Sequence, residues 1–205
     1  MGMSGLYVVK PWFVARLSAI EDLFVDREVS PNAVTFGAVV VSAVAGAAIA
    51  GGTVLDQPLL WLAVLPLSVI RLALNALDGS VARRLNASTP FGAAINELGD
   101  RGGDLVLFAP LLMVASAWLV VAGIAAMTLT STAGVMSLTL TGRRDTSGPM
   151  GKADRVLVIA LAALFAGLTG SQLPFVIGLI VVAAGCIFTT VLRLRRLSRV
   201  ASHVH

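Results

Sequence analysis

The stretch that decides the fold is residues 156–192, VLVIALAALFAGLTGSQLPFVIGLIVVAAGCIFTTVL. It contains no Asp, Glu, Lys or Arg, and the same is true of residues 29–55 and 105–142. A helix needs about 20 residues to cross the hydrocarbon core of a membrane, so residues 29–55 hold one span and residues 156–192 are long enough for two. The apolar tracts are continuous rather than alternating, which argues against a transmembrane barrel. Because backbone polar groups in lipid must bond within their own segment, the sequence predicts an all-α, polytopic membrane protein.

The composition of the whole chain supports this fold class. Of its 205 residues, 57% are hydrophobic and 13% are charged, whereas soluble globular proteins have roughly 25% charged residues. A water-soluble fold is therefore excluded. Cys186 is the single cysteine, so neither an intrachain disulfide nor a cysteine-based metal site is available.

Prolines, glycines and short polar segments divide the chain into six predicted transmembrane helices. Residues 1–29 mix aromatic and basic side chains, as is typical of an amphipathic helix that lies in the membrane interface. We therefore predict an N-terminal interfacial amphipathic helix in residues 1–29, a six-helix transmembrane domain in residues 30–197, and a cytoplasmic tail in residues 198–205. The predicted spans are residues 31–52, 58–85, from about 90, 118–140, 153–168 and 174–197.

The lysines and arginines test this topology. Six spans place both termini and the loops after the second and fourth spans on one side of the membrane. Almost all basic residues fall on that side: Lys10, Arg16, Arg27, Arg83, Arg84, Arg143, Arg144, Lys152, Arg155, Arg193, Arg195, Arg196 and Arg199. By the positive-inside rule this side is cytoplasmic, so we predict a cell (inner) membrane protein with both termini inside. Topology and contact with membrane lipids explain the basic charge, and nucleic acid is not needed as a partner.

The remaining polar residues lie inside the predicted second and third spans. Ionisable side chains at such depth are costly and indicate a functional cavity. The residues concerned are Arg71, Asn75, Asp78, Asn96, Glu97, Asp100, Arg101 and Asp104. Spacings of three and four residues place Asn75 with Asp78, and Asn96 with Asp100 and Asp104, on one face of each helix.

Carboxylates and amide oxygens that crowd together favour a hard divalent cation such as Mg²⁺ or Mn²⁺. Zinc is disfavoured, because the histidines, His203 and His205, belong to the predicted solvated tail. Glu97 is four residues before Arg101 and points away from Asn96, so we predict a structural salt bridge between Glu97 and Arg101.

These polar positions resemble a known sequence signature. The residues Asn75, Asp78-Gly79, Ala82-Arg83, Gly92, Asn96 and Asp100 reproduce every interval in the signature of the CDP-alcohol phosphatidyltransferase family. Members of that family transfer a phosphatidyl group from a CDP-linked lipid, such as CDP-diacylglycerol, to an alcohol, release CMP, and use divalent metals in phospholipid biosynthesis. The resemblance implies that residues 30–197 form a catalytic domain, and it implies a possible homodimer.

Two positions depart from the family signature. Its first and third aspartates are Asn75 and Asn96 here, so a site with four carboxylates becomes a site with two. In this respect the chain resembles a divergent bacterial inner-membrane branch of the family. Asp104 lies one turn beyond Asp100 on the same stripe, and we consider it as a substitute ligand.

The resemblance also assigns roles to individual residues. The implied metal site contains Asn75, Asp78, Asn96 and Asp100, with Asp104 added, and Asp100 is the implied base for the acceptor hydroxyl. The implied donor site comprises Asn32, Thr35, Asp78, Gly79, Ala82, Arg83 and Gly92. Arg144 and Arg155 are the implied ligands of a phosphate on the acceptor alcohol, although topology and lipid contact also explain the basic residues of this region.

Two other functions remain open at this stage. The asparagines also suit a non-catalytic membrane protein that binds lipid phosphates or CDP-linked lipids. The buried polar stripes could alternatively line a proton or cation path of a transporter, a function for which the small residues of the signature would be unnecessary.

Overall fold

The computed structural model describes residues 16–201, and all of its regular elements are helical, which confirms the predicted all-α class. The helices are α1 (Ser18–Asp26), α2 (Pro31–Val54), α3 (Val64–Arg84), α4 (Pro90–Phe108), α5 (Ala117–Thr141), α6 (Lys152–Thr169) and α7 (Leu173–Ala201). The short helix α1 thus precedes six longer ones. One 3-10 turn, Pro58–Ala63, precedes α3, and another, Ala109–Met113, follows α4.

The helix boundaries follow local sequence signals. The Ser30 hydroxyl accepts a hydrogen bond from the Ala33 amide at 3.2 Å, and the Thr89 hydroxyl accepts one from the Gly92 amide at 3.0 Å. The following prolines, Pro31 and Pro90, occupy the first helical position, where a missing N–H is harmless. These starts confirm the predicted beginnings of the first and third long helices.

Four helical segments are long and apolar enough to cross a membrane: Pro31–Val54, Pro58–Arg84, Ala117–Thr141 and Leu173–Arg199. The structure therefore supports an integral membrane protein with four clear spans. The other two long helices, α4 and α6, carry more charge. Glu97, Asp100, Arg101 and Asp104 lie within α4, and Lys152, Asp154 and Arg155 lie in the first turn of α6.

The short helix α1 lies against the end of α3. It has no buried residue, and its Asp22 carboxylate accepts a hydrogen bond from Arg84 at 2.5 Å. Residues 1–15, which make up much of the predicted interfacial helix, lie outside the described residues, as do His203 and His205. Helix α7 continues to Ala201, past the predicted end of the last span at residue 197.

The bundle packs α2 against α3 and α4, and α5 against α7, while α6 contacts both α3 and α7. Trp61 anchors the core: its indole N–H donates to the Ile49 carbonyl at 3.1 Å, and its ring packs edge-on to Phe175 with centroids 5.4 Å apart. Gly46 allows α2 and α4 to approach closely, because a Cβ there would collide with the Val106 carbonyl. This close packing fixes the polar faces of α2, α3 and α4 relative to one another.

Candidate active site

Two buried carboxylates form the centre of the candidate site. Asp78 on α3 and Asp100 on α4 are each 4% exposed. Asp78 accepts hydrogen bonds from the Thr35 hydroxyl at 3.3 Å and from the Gly79 amide at 2.5 Å. Thr35 comes from α2, and Gly99 of α4 packs against the Thr35 side chain, so α2, α3 and α4 meet beside Asp78. The structure thus brings together three of the residues that the resemblance selected.

Asp100 is engaged by a residue from a distant part of the chain. The Lys152 ammonium, at the first position of α6, forms an ion pair with Asp100 Oδ2. Asp78, Asp100 and Lys152 all lie within electrostatic range of one another. Sequence reasoning treated Lys152 only as one of the basic residues explained by topology. One signal could have found it, because a cation in the first turn of a helix opposes the helix dipole and needs an anionic partner.

Asn75 and Asn96 lie one helical turn before Asp78 and Asp100, and both are partly buried. In residues 16–201 no group of three or more His, Cys, Asp or Glu side chains is arranged to hold a metal ion. The oxygen donors available are therefore two carboxylates and two side-chain amides. This set suits a hard divalent cation in its chemistry, but it carries half the negative charge of four aspartates.

Asp104 occupies a different environment from the other acidic residues. Its Oδ1 accepts from Arg71 Nη2 at 2.7 Å and its Oδ2 accepts from Arg155 Nη2 at 2.5 Å, while Arg101 Nη1 lies 3.6 Å from Oδ2. We call Arg71, Arg101, Asp104 and Arg155 the arginine cluster. Because arginines engage both oxygens of Asp104, the geometry argues against the predicted role of Asp104 as a substitute metal ligand.

The arginine cluster also changes the interpretation of Arg155. The side chain of Arg155 is 1% exposed and its charge is balanced by Asp104, so it is poorly placed to bind an incoming phosphate by itself. It does form part of the wall of a small polar cavity that also contacts Thr130, Arg144, Lys152 and Arg193.

Glu97 joins two basic residues at the edge of the site. It lies 3.1 Å from Arg101 Nη2, which confirms the predicted salt bridge, and 2.7 Å from Arg144 Nη1. The second contact, which the sequence did not indicate, connects α4 to the segment between α5 and α6. Arg144 keeps 33% of its side chain exposed and remains accessible to a ligand.

That segment, residues 142–151, is itself fastened to α7. Arg193 donates to the Ser147 carbonyl at 3.0 Å and to the Thr130 carbonyl at 2.6 Å. The Met150 amide donates to the Thr189 hydroxyl at 3.1 Å. We call residues 142–151 the tethered segment; it presents Arg144 and leads directly into Lys152.

The residues implied for the donor lie at the starts of α2 and α4 and the end of α3. A Cβ added to Gly92 would lie 3.8 Å from the Asn32 side-chain oxygen, and one added to Gly79 would lie 3.5 Å from Arg83 Nη1. Arg83 is exposed and forms no ion pair within residues 16–201, whereas its neighbour Arg84 binds Asp22. The two adjacent arginines therefore have different surroundings.

We expect Arg83→Ala to weaken binding of CDP at least about tenfold, because a charge-assisted contact to a phosphate contributes roughly 1.5–3 kcal/mol. Arg84→Ala is the matched control, since it removes the same charge from the next position and loses only an exposed ion pair with α1. Its effect on CDP affinity should stay within about twofold. Calorimetric titration of CDP into each purified variant measures both values. Equal losses would show that Arg83 is only a topological anchor.

Four helical segments long enough to span a bilayer, together with the buried carboxylates of Asp78 and Asp100, define a membrane protein with a buried polar site. The comparisons with known proteins specify the class further. Residues 28–198 match the CDP-alcohol phosphatidyltransferase family, and the chain belongs to that family. Members catalyse the transfer of a phosphatidyl group from a CDP-linked lipid in phospholipid synthesis, as the signature residues implied.

The chain is similar to one curated protein and to solved structures of another. It is 35% identical to the inner membrane protein YnbA of Escherichia coli (strain K12) over 161 residues, which cover 78% of this chain and 79% of YnbA. The phosphatidylinositol phosphate synthase PgsA1 of Mycobacterium tuberculosis, with CDP-DAG bound, has the same fold: the TM-score is 0.65 at 20% identity, covering 86% of this chain and 90% of that one. A second PgsA1 structure, in complex with manganese and citrate, gives 0.65 at 19% identity over 86% of each chain.

Proposed function

We propose that the protein transfers a phosphatidyl group from CDP-diacylglycerol, or a similar CDP-linked lipid, to an alcohol and releases CMP. The observation that carries this proposal is the convergence of Asp78 and Asp100, buried on adjacent helices, within the family signature. The related fold of PgsA1 with CDP-DAG bound supports the choice of donor. The donor's tails remain in hydrocarbon while its diphosphate reaches the polar face of α3 and α4.

We propose Mg²⁺ or Mn²⁺ as the cofactor, held by Asp78 and Asp100 with the side-chain oxygens of Asn75 and Asn96. The manganese complex of PgsA1 supports this class of ion. Such an ion would neutralise charge on the diphosphate as the bond to CMP breaks. Asp104 is left out of the proposed ligand set because it belongs to the arginine cluster.

Different residues are proposed to transfer the proton and to bind the donor. Asp100 accepts the proton of the acceptor hydroxyl through Oδ1, since Oδ2 faces Lys152. The hydroxyl oxygen then forms a bond to the phosphorus that carries the lipid, and the bond from that phosphorus to the CMP oxygen breaks. Arg83 binds the diphosphate, and Asn32, Thr35, Gly79, Ala82 and Gly92 leave room for the cytidine and position it.

We propose that the acceptor enters beside the tethered segment. Arg144 is partly exposed and would bind a phosphate on a phosphorylated acceptor. Arg155 would support this site from the cavity wall, because Asp104 already neutralises its charge. The acceptor is therefore a small polyol or polyol phosphate in this proposal.

The test of the proposed function is CMP release. Purified protein is mixed with CDP-diacylglycerol and Mn²⁺ or Mg²⁺, and CMP is measured for glycerol phosphate, inositol phosphate and unphosphorylated alcohols. Metal-dependent release with at least one acceptor supports the proposal. Binding of CDP without release for any acceptor would favour the non-catalytic alternative, which the two asparagines support.

We also propose that α4 and α6 complete six spans. The similarity to the inner membrane protein YnbA supports the inner membrane as the location. The 19 residues of α4 are about 28 Å long, close to the hydrocarbon thickness. The charged side chains of these helices pair within the bundle, through Asp104 with Arg155 and Asp100 with Lys152, so that they need not face lipid.

This topology predicts which cysteines react from outside the cell. A membrane-impermeant thiol reagent should label Gln172→Cys, between α6 and α7, and should not label Ser88→Cys, between α3 and α4. Both positions are exposed, and the native Cys186 is buried, so the parent protein provides the background. External labelling at position 88 would overturn the orientation and place the site on the outer side.

A further inference from the structure

The ion pair between Lys152 and Asp100 places a fixed cation inside the proposed metal site. The Asp100 side chain is 3% exposed and that of Lys152 is 30% exposed, so the carboxylate is buried while the lysine side chain is partly open to solvent. Lys152 begins α6, where the helix dipole disfavours a positive charge. Contact with the buried Asp100 carboxylate offsets that penalty. The nearby Asp154 carboxylate instead accepts a hydrogen bond from the Gly151 amide at 2.8 Å.

The charges around Lys152 show why it is the relevant cation. Arg71 and Arg155 share Asp104, and Arg101 and Arg144 share Glu97. These four arginines contact Asp104 or Glu97. Lys152 is the basic residue that contacts Asp100 directly, whereas Arg101 and Arg155 act on Asp100 only at longer range. Lys152 also acts electrostatically on Asp78.

The same site has lost two negative charges to Asn75 and Asn96. Four aspartates would balance two divalent cations, whereas Asp78 and Asp100 together balance one. Adding the Lys152 ammonium to two carboxylates leaves one net negative charge, which is too little to hold two divalent ions from protein groups alone. The amides and the lysine therefore change the site in the same direction.

We propose that Lys152 takes the place of one of the two divalent cations, so that this protein binds a single divalent ion. The proposal rests on the proposed function, because it assumes that the asparagine-containing site binds metal. It adds that Asn75, Asn96 and Lys152 act together as one adaptation. The ammonium contacts Asp100 Oδ2, and the remaining oxygens of Asp78, Asp100, Asn75 and Asn96 would hold the divalent ion.

The experiment counts bound Mn²⁺. Free Mn²⁺ is followed by electron paramagnetic resonance during titration into the purified full-length protein without nucleotide, so that the negative charge comes from protein groups alone. The parent should bind one ion per chain. The triple variant Asn75→Asp/Asn96→Asp/Lys152→Gln should bind two, while Asn75→Asp/Asn96→Asp with Lys152 intact should remain at one over the same concentration range.

A single substitution provides a second measure that does not depend on the folding of the triple variant. Lys152→Gln should bind its one Mn²⁺ at least about tenfold more tightly, because a cation no longer competes for Asp100. Arg143→Gln is the control, since it removes the same charge from an exposed position directly before Arg144. Its Mn²⁺ affinity should match that of the parent.

Several results would overturn the proposal. Two Mn²⁺ ions on the parent, one on the triple variant, or equal affinity changes for Lys152→Gln and Arg143→Gln would each show that the ammonium does not replace a metal. No Mn²⁺ binding by the parent would overturn it as well. The proposed function is judged separately by CMP release. A single bound ion without CMP release would overturn the proposed enzyme activity but would still support binding of one ion per chain.

Discussion

Replacing Asp100 with asparagine should lower the rate of CMP release at least about 100-fold. The amide cannot take the proton of the acceptor hydroxyl, and removing a general base commonly reduces turnover by about 10²–10⁴-fold. Asn has nearly the same shape as Asp, and Asp78 still accepts its hydrogen bonds from Thr35 and Gly79. The affinity for CDP should therefore change much less than kcat. Steady-state kinetics with CDP-diacylglycerol and a saturating acceptor measure both quantities.

The matched control for this substitution is Asp56→Asn. Asp56 is exposed and has a positive φ of 52°, a conformation that Asn also tolerates. It lies before α3 at the end of the bundle opposite the site, so turnover should equal that of the parent. Undiminished CMP release by Asp100→Asn would exclude Asp100 as the base and transfer that role to another group near the acceptor.

The largest loss of stability should follow from Asp104→Asn. This change leaves Arg71 and Arg155 without the carboxylate that balances them, and removing one partner of a buried ion pair costs about 3–5 kcal/mol. Thermal unfolding of the purified protein in detergent should show the loss, together with a lower yield of folded protein. If the protein still folds, CMP release should fall only in proportion to the folded fraction.

Asp22→Asn provides the corresponding control at the surface. Its carboxylate pairs with Arg84 at 2.5 Å, but 58% of its side chain and 44% of that of Arg84 are exposed. Exposed ion pairs contribute about 0–1 kcal/mol, so the unfolding temperature should hardly change. Equal effects of the two substitutions would show that the arginine cluster is solvated and does not hold the bundle together.

Much of the architecture could be predicted from the sequence, because its signals are local. Charge-free tracts gave the long helices, and Ser30 with Pro31 and Thr89 with Pro90 gave two helix starts. Spacings of three and four residues placed Asp78 and Asp100 on the polar faces of their helices, and the structure brings these faces together. The wider resemblance to the family contributed Thr35, which no periodic pattern would have selected.

Other features depend on which helix lies opposite, and spacing within one helix does not contain that information. Asp104 follows Asp100 by one turn, so it lies about 6 Å further along α4. At that level α3 presents Arg71 in place of Asp78, since the two helices run in opposite directions. The sequence therefore placed Asn96, Asp100 and Asp104 correctly on one face of α4, but it did not predict that arginines surround Asp104.

Long-range pairing accounts for the remaining differences. Lys152 contacts a residue that precedes it by 52 positions, and Arg155 contacts one that precedes it by 51. Both lysine and arginine also serve as topological markers near the cytoplasmic ends of spans. Because topology already accounts for most of the basic residues, the sequence offers no reason to pair Lys152 with Asp100 or Arg155 with Asp104.

The tethered segment has a consequence for how new acceptor preferences could arise. Arg144 belongs to this segment and Lys152 follows directly after it, whereas the residues proposed to bind CDP lie on α2, α3 and α4. The contacts from Arg193 and Thr189 to the segment are made mainly with its backbone, and backbone contacts tolerate exchange of the intervening side chains. In the proposed reaction, donor recognition and acceptor recognition thus depend on different parts of the chain, and mutation can change one without the other. Gene duplicates can diversify the exposed or half-buried positions 143, 144, 146 and 149, while Asp145, Ser147 and Gly148 are buried and stay fixed. They can thereby acquire another head group and keep the same nucleotide chemistry.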